Sequence, residues 1–283
     1  MDTTRRGALG CAVAAVAVTP AAGVSAATLA GSAGAKRSFV LVHGAWHGGW
    51  CWRDVRARLE ADGHRVFAPT LTGLGERAHL RAPVPGLSVH VRDVCGLIEA
   101  EELSDIVLVG HSYGGMVVTG VADAMRERIA HVVYLDAAVP RDGQSMITQA
   151  PGSTADSAAA TETQLRALAP DGVWMQPLPP AALGVPPSNE AATAWLARRM
   201  TPHPLPSWTE PLPLAQGGSE GLARTYVLCT APVLEQASFA AHAALIRTGA
   251  AGSGWRYREL ATGHEAMVTE PLATAALLLE AAA

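Results

Sequence analysis

The stretch Ile106-Val107-Leu108-Val109-Gly110-His111-Ser112-Tyr113-Gly114-Gly115-Met116 decides the fold. Four consecutive apolar residues predict a strand buried on both faces, and apolar positions then recur at helical spacing through Met116, Val117, Gly120 and Val121. Between them lies Gly-x-Ser-x-Gly. A serine thrust out at a sharp strand-to-helix turn needs neighbours without bulk two positions to either side, and Gly110 and Gly114 supply that. Ser112 is therefore the candidate nucleophile. The same turn puts the N–H of Tyr113 beside the attacked carbonyl and points the positive end of the next helix at the developing oxyanion.

Outward from this turn, short apolar runs alternate with helical patterns. The runs are Phe39 to Val42, Val66 to Ala68, Ile106 to Val109, Val132 to Leu135, Tyr226 to Cys229 and Tyr257 to Leu260. Helices are expected near Trp52 to Ala61, Val89 to Glu101, Gly115 to Arg128, Leu234 to Leu245 and Pro271 to Ala282. This alternation predicts an α/β fold with a mainly parallel, doubly wound sheet. Residues 140–222, rich in Pro, Ala and Gly, interrupt it. A structureless loop of that length is improbable in a compact domain, so the segment is expected to be an inserted helical cap over the site. The expected organisation is a leader at 1–35, a core at 36–139 and 223–283, and the cap at 140–222.

A serine hydroxyl attacks only when a base takes its proton. Gly263-His264-Glu265 follows the last strand and precedes the C-terminal helix, which makes His264 the best placed of the ten histidines. The base needs a carboxylate to hold its tautomer. Asp136 ends the strand after the nucleophile helix, in Tyr134-Leu135-Asp136-Ala137-Ala138, where a carboxylate is hard to explain as packing. Glu235, after the next strand, is the alternative acid, although it sits in a helical pattern and could face water. The N–H of Ala45, in His43-Gly44-Ala45-Trp46, is the candidate second oxyanion donor. His43 and His111 read as structural hydrogen-bonding or packing residues, and Gly73-Leu74-Gly75 and Arg77 as loop-shaping ones. Trp46 and His47, with Trp174 and Trp208 of the cap, are candidates for the substrate pocket; Trp195 is a further cap tryptophan. Ordinary packing is the competing role for each.

The chain has 283 residues, 49% apolar and 16% charged, enough for one large domain with a substantial core. A formal net charge of −4 gives no reason to expect nucleic acid or an anionic membrane as partner; a small, largely apolar molecule fits better. Thr4-Arg5-Arg6-Gly7, an Ala/Val run to Val18 and small residues around Ser25-Ala26-Ala27 predict a twin-arginine export signal and an extracytoplasmic protein; the alternative is an uncleaved leader on a cytoplasmic one. The apolar run is too short to span a membrane. Cys51, Cys95 and Cys229 have neither disulfide-framework nor metal-ligand spacing.

VLVHGAWHGGWCW (Val40–Trp52), TGLGER (Thr72–Arg77), GHSYGGM (Gly110–Met116) and GHEAM (Gly263–Met267) resemble the bacterial branch of the α/β-hydrolase superfamily that is similar to plant methyl-ester esterases and hydroxynitrile lyases. The resemblance covers about residues 37 to 282 and implies a serine esterase with Ser112 as nucleophile and His264 as base; with Asp136, read from its place in the chain, as the acid, the expected mechanism uses no metal or cofactor. It also implies that the lyases carry threonine after the strand-end histidine and lysine after the catalytic one, where this chain has Gly44 and Glu265. The plant esterases place their acid in the segment matching Thr230 to Val233, which here holds no carboxylate. Haloalkane dehalogenases of the same superfamily place theirs at the position of Asp136, but with an aspartate nucleophile. A lyase or C–C bond hydrolase using the same triad, and a non-catalytic ligand-binding protein on the same scaffold, are the alternatives.

Overall fold

Six strands, all parallel, form the central sheet of the computed structural model, in the order β2-β1-β3-β4-β7-β8. They are β1 (Ser38–Val42), β2 (Arg65–Phe67), β3 (Ile106–His111), β4 (Ile129–Leu135), β7 (Ala223–Cys229) and β8 (Trp255–Leu260). The structure describes Met1, residues 36–234 and residues 238–282; from residue 36 onward they belong to one compact unit. The rest of the expected leader and the alternative acid Glu235 lie outside the described residues.

Side chains alternate between the two faces as strand geometry requires. Val40, Val42, Leu108, Val132, Tyr134 and Tyr226 enter one core, beneath α2 (Leu87–Ala100), α3 (Gly114–Ala124) and α7 (Phe239–Arg247). Phe39, Leu41, Val107, Val109, Val133 and Val227 enter the other, beneath α1 (Arg53–Ala61) and α9 (Pro271–Ala282). Both faces are covered, which is why the inner strands read as unbroken apolar runs. At the edge, β8 carries Arg256, Arg258 and Glu259, charges that discourage pairing with another chain.

All six predicted strands and four of the predicted helices lie where the sequence placed them, within a few residues. The pattern starting at Leu234 is the exception: α7 begins at Phe239, because Phe239, His242, Ala243 and Ile246 form the buried stripe. Residues 140–222 hold α4 (Ala155–Ala167), α5 (Glu190–Arg199), α6 (Pro206–Thr209) and a two-stranded antiparallel ribbon of β5 (Trp174–Met175) and β6 (His203–Pro204). Thr154 and Ser157 form a capping box at the start of α4. Leu165, Ala169, Met175 and Leu205 make a small separate cluster. A short helix that the pattern did not signal, α8 (Ala266–Thr269), begins two residues after His264, with Glu265 at its N-cap.

Candidate active site

The chain leaves β1 toward β2 on one side and returns as β3 on the other, so the C-terminal ends of β1 and β3 flank a switch point, where open parallel sheets place their ligands. Gly44 and Ala45 follow β1 there, and Ser112 follows β3. Ser112 sits at φ 54, a left-handed conformation that costs a non-glycine residue about 1–2 kcal/mol. The turn is held on three sides: Ser112 N–H donates to Leu135 O at 3.3 Å, and Gly115 N–H and Ala138 N–H donate to Ser112 O at 3.0 and 3.1 Å. The flanking glycines are needed for close approach. A Cβ on Gly114 would lie 2.8 Å from the Val42 carbonyl oxygen, and one on Gly110 would lie 2.6 Å from a Val118 methyl.

His264 and Asp136 are 128 residues apart and meet: His264 Nδ1–H donates to Asp136 Oδ2 at 2.7 Å. Both are buried, at 3% and 1% exposure, where a charge-assisted hydrogen bond is strong. Asp136 is also at positive φ, 43, at the end of β4. Its N–H donates to Val227 O at 2.7 Å, and its Oδ1 accepts Cys229 N–H at 3.2 Å. The carboxylate is thus fixed by β7, with one oxygen left for the imidazole. Phe239 stacks on the His264 ring at 5.3 Å, and His111 Nε2–H donates to the His264 carbonyl at 2.9 Å. The chain at 263 is pressed against residue 184, since a Cβ on Gly263 would lie 2.0 Å from Gly184 O.

The loop after β1 is gripped by histidines. His43 Nδ1–H donates to Gly44 O at 2.8 Å, and its Nε2 accepts Leu71 N–H at 3.1 Å. Burial drives the His43 pKa down to about 3, so the ring stays neutral in that tautomer. His47 Nδ1–H donates to Ala45 O at 2.6 Å, and His203 Nδ1 accepts Trp46 N–H at 3.3 Å. Both peptides flanking Ala45 are therefore fixed through their other polar groups. Among the described residues, no acceptor is bonded to the N–H of Ala45 or of Tyr113.

The four pocket candidates are placed differently. Trp46, at φ 65, is buried; its Nε1–H donates to Met175 O at 3.1 Å, and its carbonyl accepts Thr201 N–H at 2.8 Å. Trp208 lies beside it, 6.2 Å between rings, and parallel to Tyr113 at 6.3 Å. His47 is turned under the loop toward Glu265, 3.1 Å away. Trp174 packs beside Gly73 and under the Arg81 guanidinium at 4.7 Å, and Trp195 packs on Trp50 at 4.9 Å. A cavity of about 650 Å³ lies elsewhere, between α7 and the connectors after β4 and before β7, with Gln149, Arg224, His242 and Trp255 in its walls and none of Ser112, Asp136 or His264. Its size does not make it the reactive centre, because it lacks a nucleophile with a paired base.

Sequence reasoning did not anticipate the His47–Glu265 pair or the histidine grip on Ala45. Both depend on which ring nitrogen faces which backbone group. Gly44 touches the elbow as well: a Cβ there would come within 2.8 Å of Ser112 Cβ and 2.9 Å of His111 Nδ1. Gly44→Ala is accordingly expected to lower kcat at least tenfold by displacing the serine or the loop, since misplacements of about 1 Å can cost about 100-fold. A crystal structure of the variant with Ser112 unmoved and full turnover would contradict this.

Comparison with known proteins agrees with this architecture. The chain is 44% identical over 237 residues to a carbendazim-hydrolyzing esterase of Nocardioides sp. (strain SG-4G), covering 83% of this chain and 95% of that one. Methylesterase 1 of Arabidopsis thaliana is 36% identical over 107 residues, 37% of this chain and 41% of the plant protein. Among solved structures, an extracellular alpha/beta-hydrolase from a Paenibacillus species, described as sharing structural and functional homology with tobacco Salicylic Acid Binding Protein 2, superposes with a TM-score of 0.73 at 27% identity, covering 87% of this chain and 98% of that one. The alpha/beta hydrolase family model matches residues 39–277, nearly the whole described fold, and the chain belongs to that family.

Proposed function

We infer that the chain is a serine-hydrolase-type esterase of small, largely apolar esters, with Ser112 as nucleophile, His264 as general base and Asp136 as the acid that orients it. In the first half-reaction His264 Nε2 takes the Ser112 hydroxyl proton as Oγ bonds to the ester carbonyl carbon. The carbonyl oxygen becomes an oxyanion between the N–H groups of Ala45 and Tyr113. The C–O bond to the alcohol then breaks as the imidazolium gives that proton to the leaving oxygen. Water, deprotonated by His264, then attacks the acyl carbon, and the C–Oγ bond breaks as the imidazolium returns the proton to Ser112 Oγ, releasing the acid and free Ser112. Asp136 keeps the Nδ1–H tautomer, without which Nε2 could not accept a proton.

The observation that carries this reading is the 2.7 Å bond between His264 Nδ1 and Asp136 Oδ2, at the same C-terminal end of the sheet as a strained serine turn. Gly44 and Glu265 favour hydrolysis over the lyase alternative, because the resemblance implies that the lyases use a threonine and a lysine at these two positions. In this reading residues 140–222 are the cap: they hold Trp46 through Met175, Thr201 and His203 and place Trp208 beside Tyr113. The leader exports the protein, in keeping with the extracellular description of the Paenibacillus relative.

The test is covalent labelling. A fluorophosphonate should attach to one serine, Ser112 by peptide mapping, and block hydrolysis of short acyl esters; carbendazim, named for the Nocardioides relative, is a further substrate to assay. A label mapped to another serine would refute the assignment.

A further inference from the structure

Glu265 is a buried carboxylate that the triad does not use. It is 1% exposed, and among the described residues neither of its oxygens is engaged in a hydrogen bond. The other buried acids are satisfied: Asp136 holds His264 and Cys229 N–H, and Asp123 accepts the N–H groups of Ala215, Gln216 and Gly218. A carboxylate buried without a partner is untenable, so its charge must be met by a neighbouring cation or cancelled by a proton. His47 Nε2 is 3.1 Å from Glu265 Oε2, in ion-pair contact although off the hydrogen-bond line. The other nitrogen of the same ring is 2.6 Å from Ala45 O, an oxygen without a proton to give, so Nδ1 carries a hydrogen. One imidazole thus bridges the loop of the candidate oxyanion donor and the segment that carries His264.

We propose that Glu265 and His47 are positioning residues for the oxyanion-binding loop: a buried imidazolium–carboxylate pair that ties the Ala45 carbonyl to the residue following His264 and so fixes the donor relative to the base. This rests on the assignment of Ser112, His264 and Ala45 above. The ionised form is favoured electrostatically. Burial alone lowers the His47 pKa, but Glu265 and the Ala45 carbonyl outweigh it and hold it above the ordinary imidazole range. Burial likewise pushes Glu265 up, yet the charge and hydrogen of His47 outweigh it and bring it down to about 2. The groups facing the pair are His43, His111, His203, His264, Cys51 and Cys229. Burial depresses His43, His111 and His203, so these rings stay neutral, and it raises both thiols, which stay protonated. Within this cluster of neutral rings His47 is the imidazolium.

The sign of the pH effect follows. A raised His47 pKa means the pair is intact below it and loses its cation as the pH rises through it. A depressed Glu265 means the carboxylate persists until the pH falls toward 2. The wild type should therefore lose kcat on the alkaline side as the Nε2 lone pair comes to face the carboxylate. Glu265→Gln should not, because its amide N–H can donate to a neutral His47 that still holds Ala45.

The experiment combines histidine ¹⁵N NMR with kinetics on the intact protein. At pH 7 the wild type should show a buried ring protonated on both nitrogens, absent in His47→Phe and converted to a neutral ring in Glu265→Gln. His47→Phe and Glu265→Leu, which fill the space without the tie, should each lower kcat about 10–100-fold with KM within about threefold, the signature of a transition-state contact. The double variant should lose no more than the worse single one, and Glu265→Gln should stay within a few-fold of wild type below the alkaline limb. A neutral His47 at pH 7, or a folded Glu265→Leu with wild-type kcat, would overturn the proposal. If the apolar variants do not fold, the NMR signal and the alkaline limb of the wild type, lost in Glu265→Gln, decide it; a limb that persists in Glu265→Gln would overturn the proposal. The NMR signature does not depend on which serine reacts, so failure of the Ser112 assignment would be visible separately in the labelling.

Discussion

Ser112→Ala should lower kcat by about 10⁵–10⁶-fold while leaving the fold intact, the range expected when the nucleophile of such a triad is removed. The fold should persist because the elbow is held by its backbone. The bonds of Ser112 N–H to Leu135 and of Gly115 and Ala138 to Ser112 O involve no side chain, and Ala at φ 54 carries the same strain as Ser. The thermal midpoint should move by only a few degrees. The residual rate should match what the two free N–H donors and substrate binding provide without a nucleophile. Progress curves of the purified variant on a chromogenic short-chain ester, with calorimetry of the same sample, check both parts; turnover within tenfold of wild type would mean that Ser112 is not the attacking group.

Asp136→Asn should cost about 10³–10⁴-fold in kcat, and the structure gives the reason. Oδ1 of Asp136 accepts Cys229 N–H, so an asparagine would keep its carbonyl oxygen on that backbone donor and turn its amide toward His264. An amide N–H pointing at Nδ1 selects the tautomer with the proton on Nε2, and that nitrogen could no longer take a proton from Ser112. KM should change little, because the carboxylate is buried beneath the imidazole. Glu235→Gln, in parallel, should stay within about twofold of wild type, as expected for a change outside the triad. The reverse outcome, with the large loss at position 235, would move the acid to the loop after β7.

The strand positions were legible, and Ser112, Asp136 and His264 stood out as candidates, because each depends on local pattern: apolar runs for strands buried on two faces, and turn residues at their C-terminal ends. Asp136 could be favoured over Glu235 because a carboxylate inside an apolar run has no packing role. What the pattern could not supply was the orientation of side chains within the shell. His43, His47, His111 and His203 look alike in sequence, yet one steadies the Gly44 carbonyl, one that of Ala45, one that of His264, and one the Trp46 N–H. The start of α7 at Phe239, not at Leu234, has a similar reason: which residues face the core is set by tertiary packing.

By itself, the sequence determined a parallel sheet with a serine at a tight turn, since periodicity and glycine spacing are local properties that steric exclusion reads directly. Only the tertiary structure decided that His264 reaches Asp136 and that Glu265 is driven against His47. Contacts between residues 128 or more positions apart are set by how two faces of a sheet and its connecting loops pack. In that interior, the cost of leaving a charge unpaired selects one arrangement among many that the chain would otherwise allow.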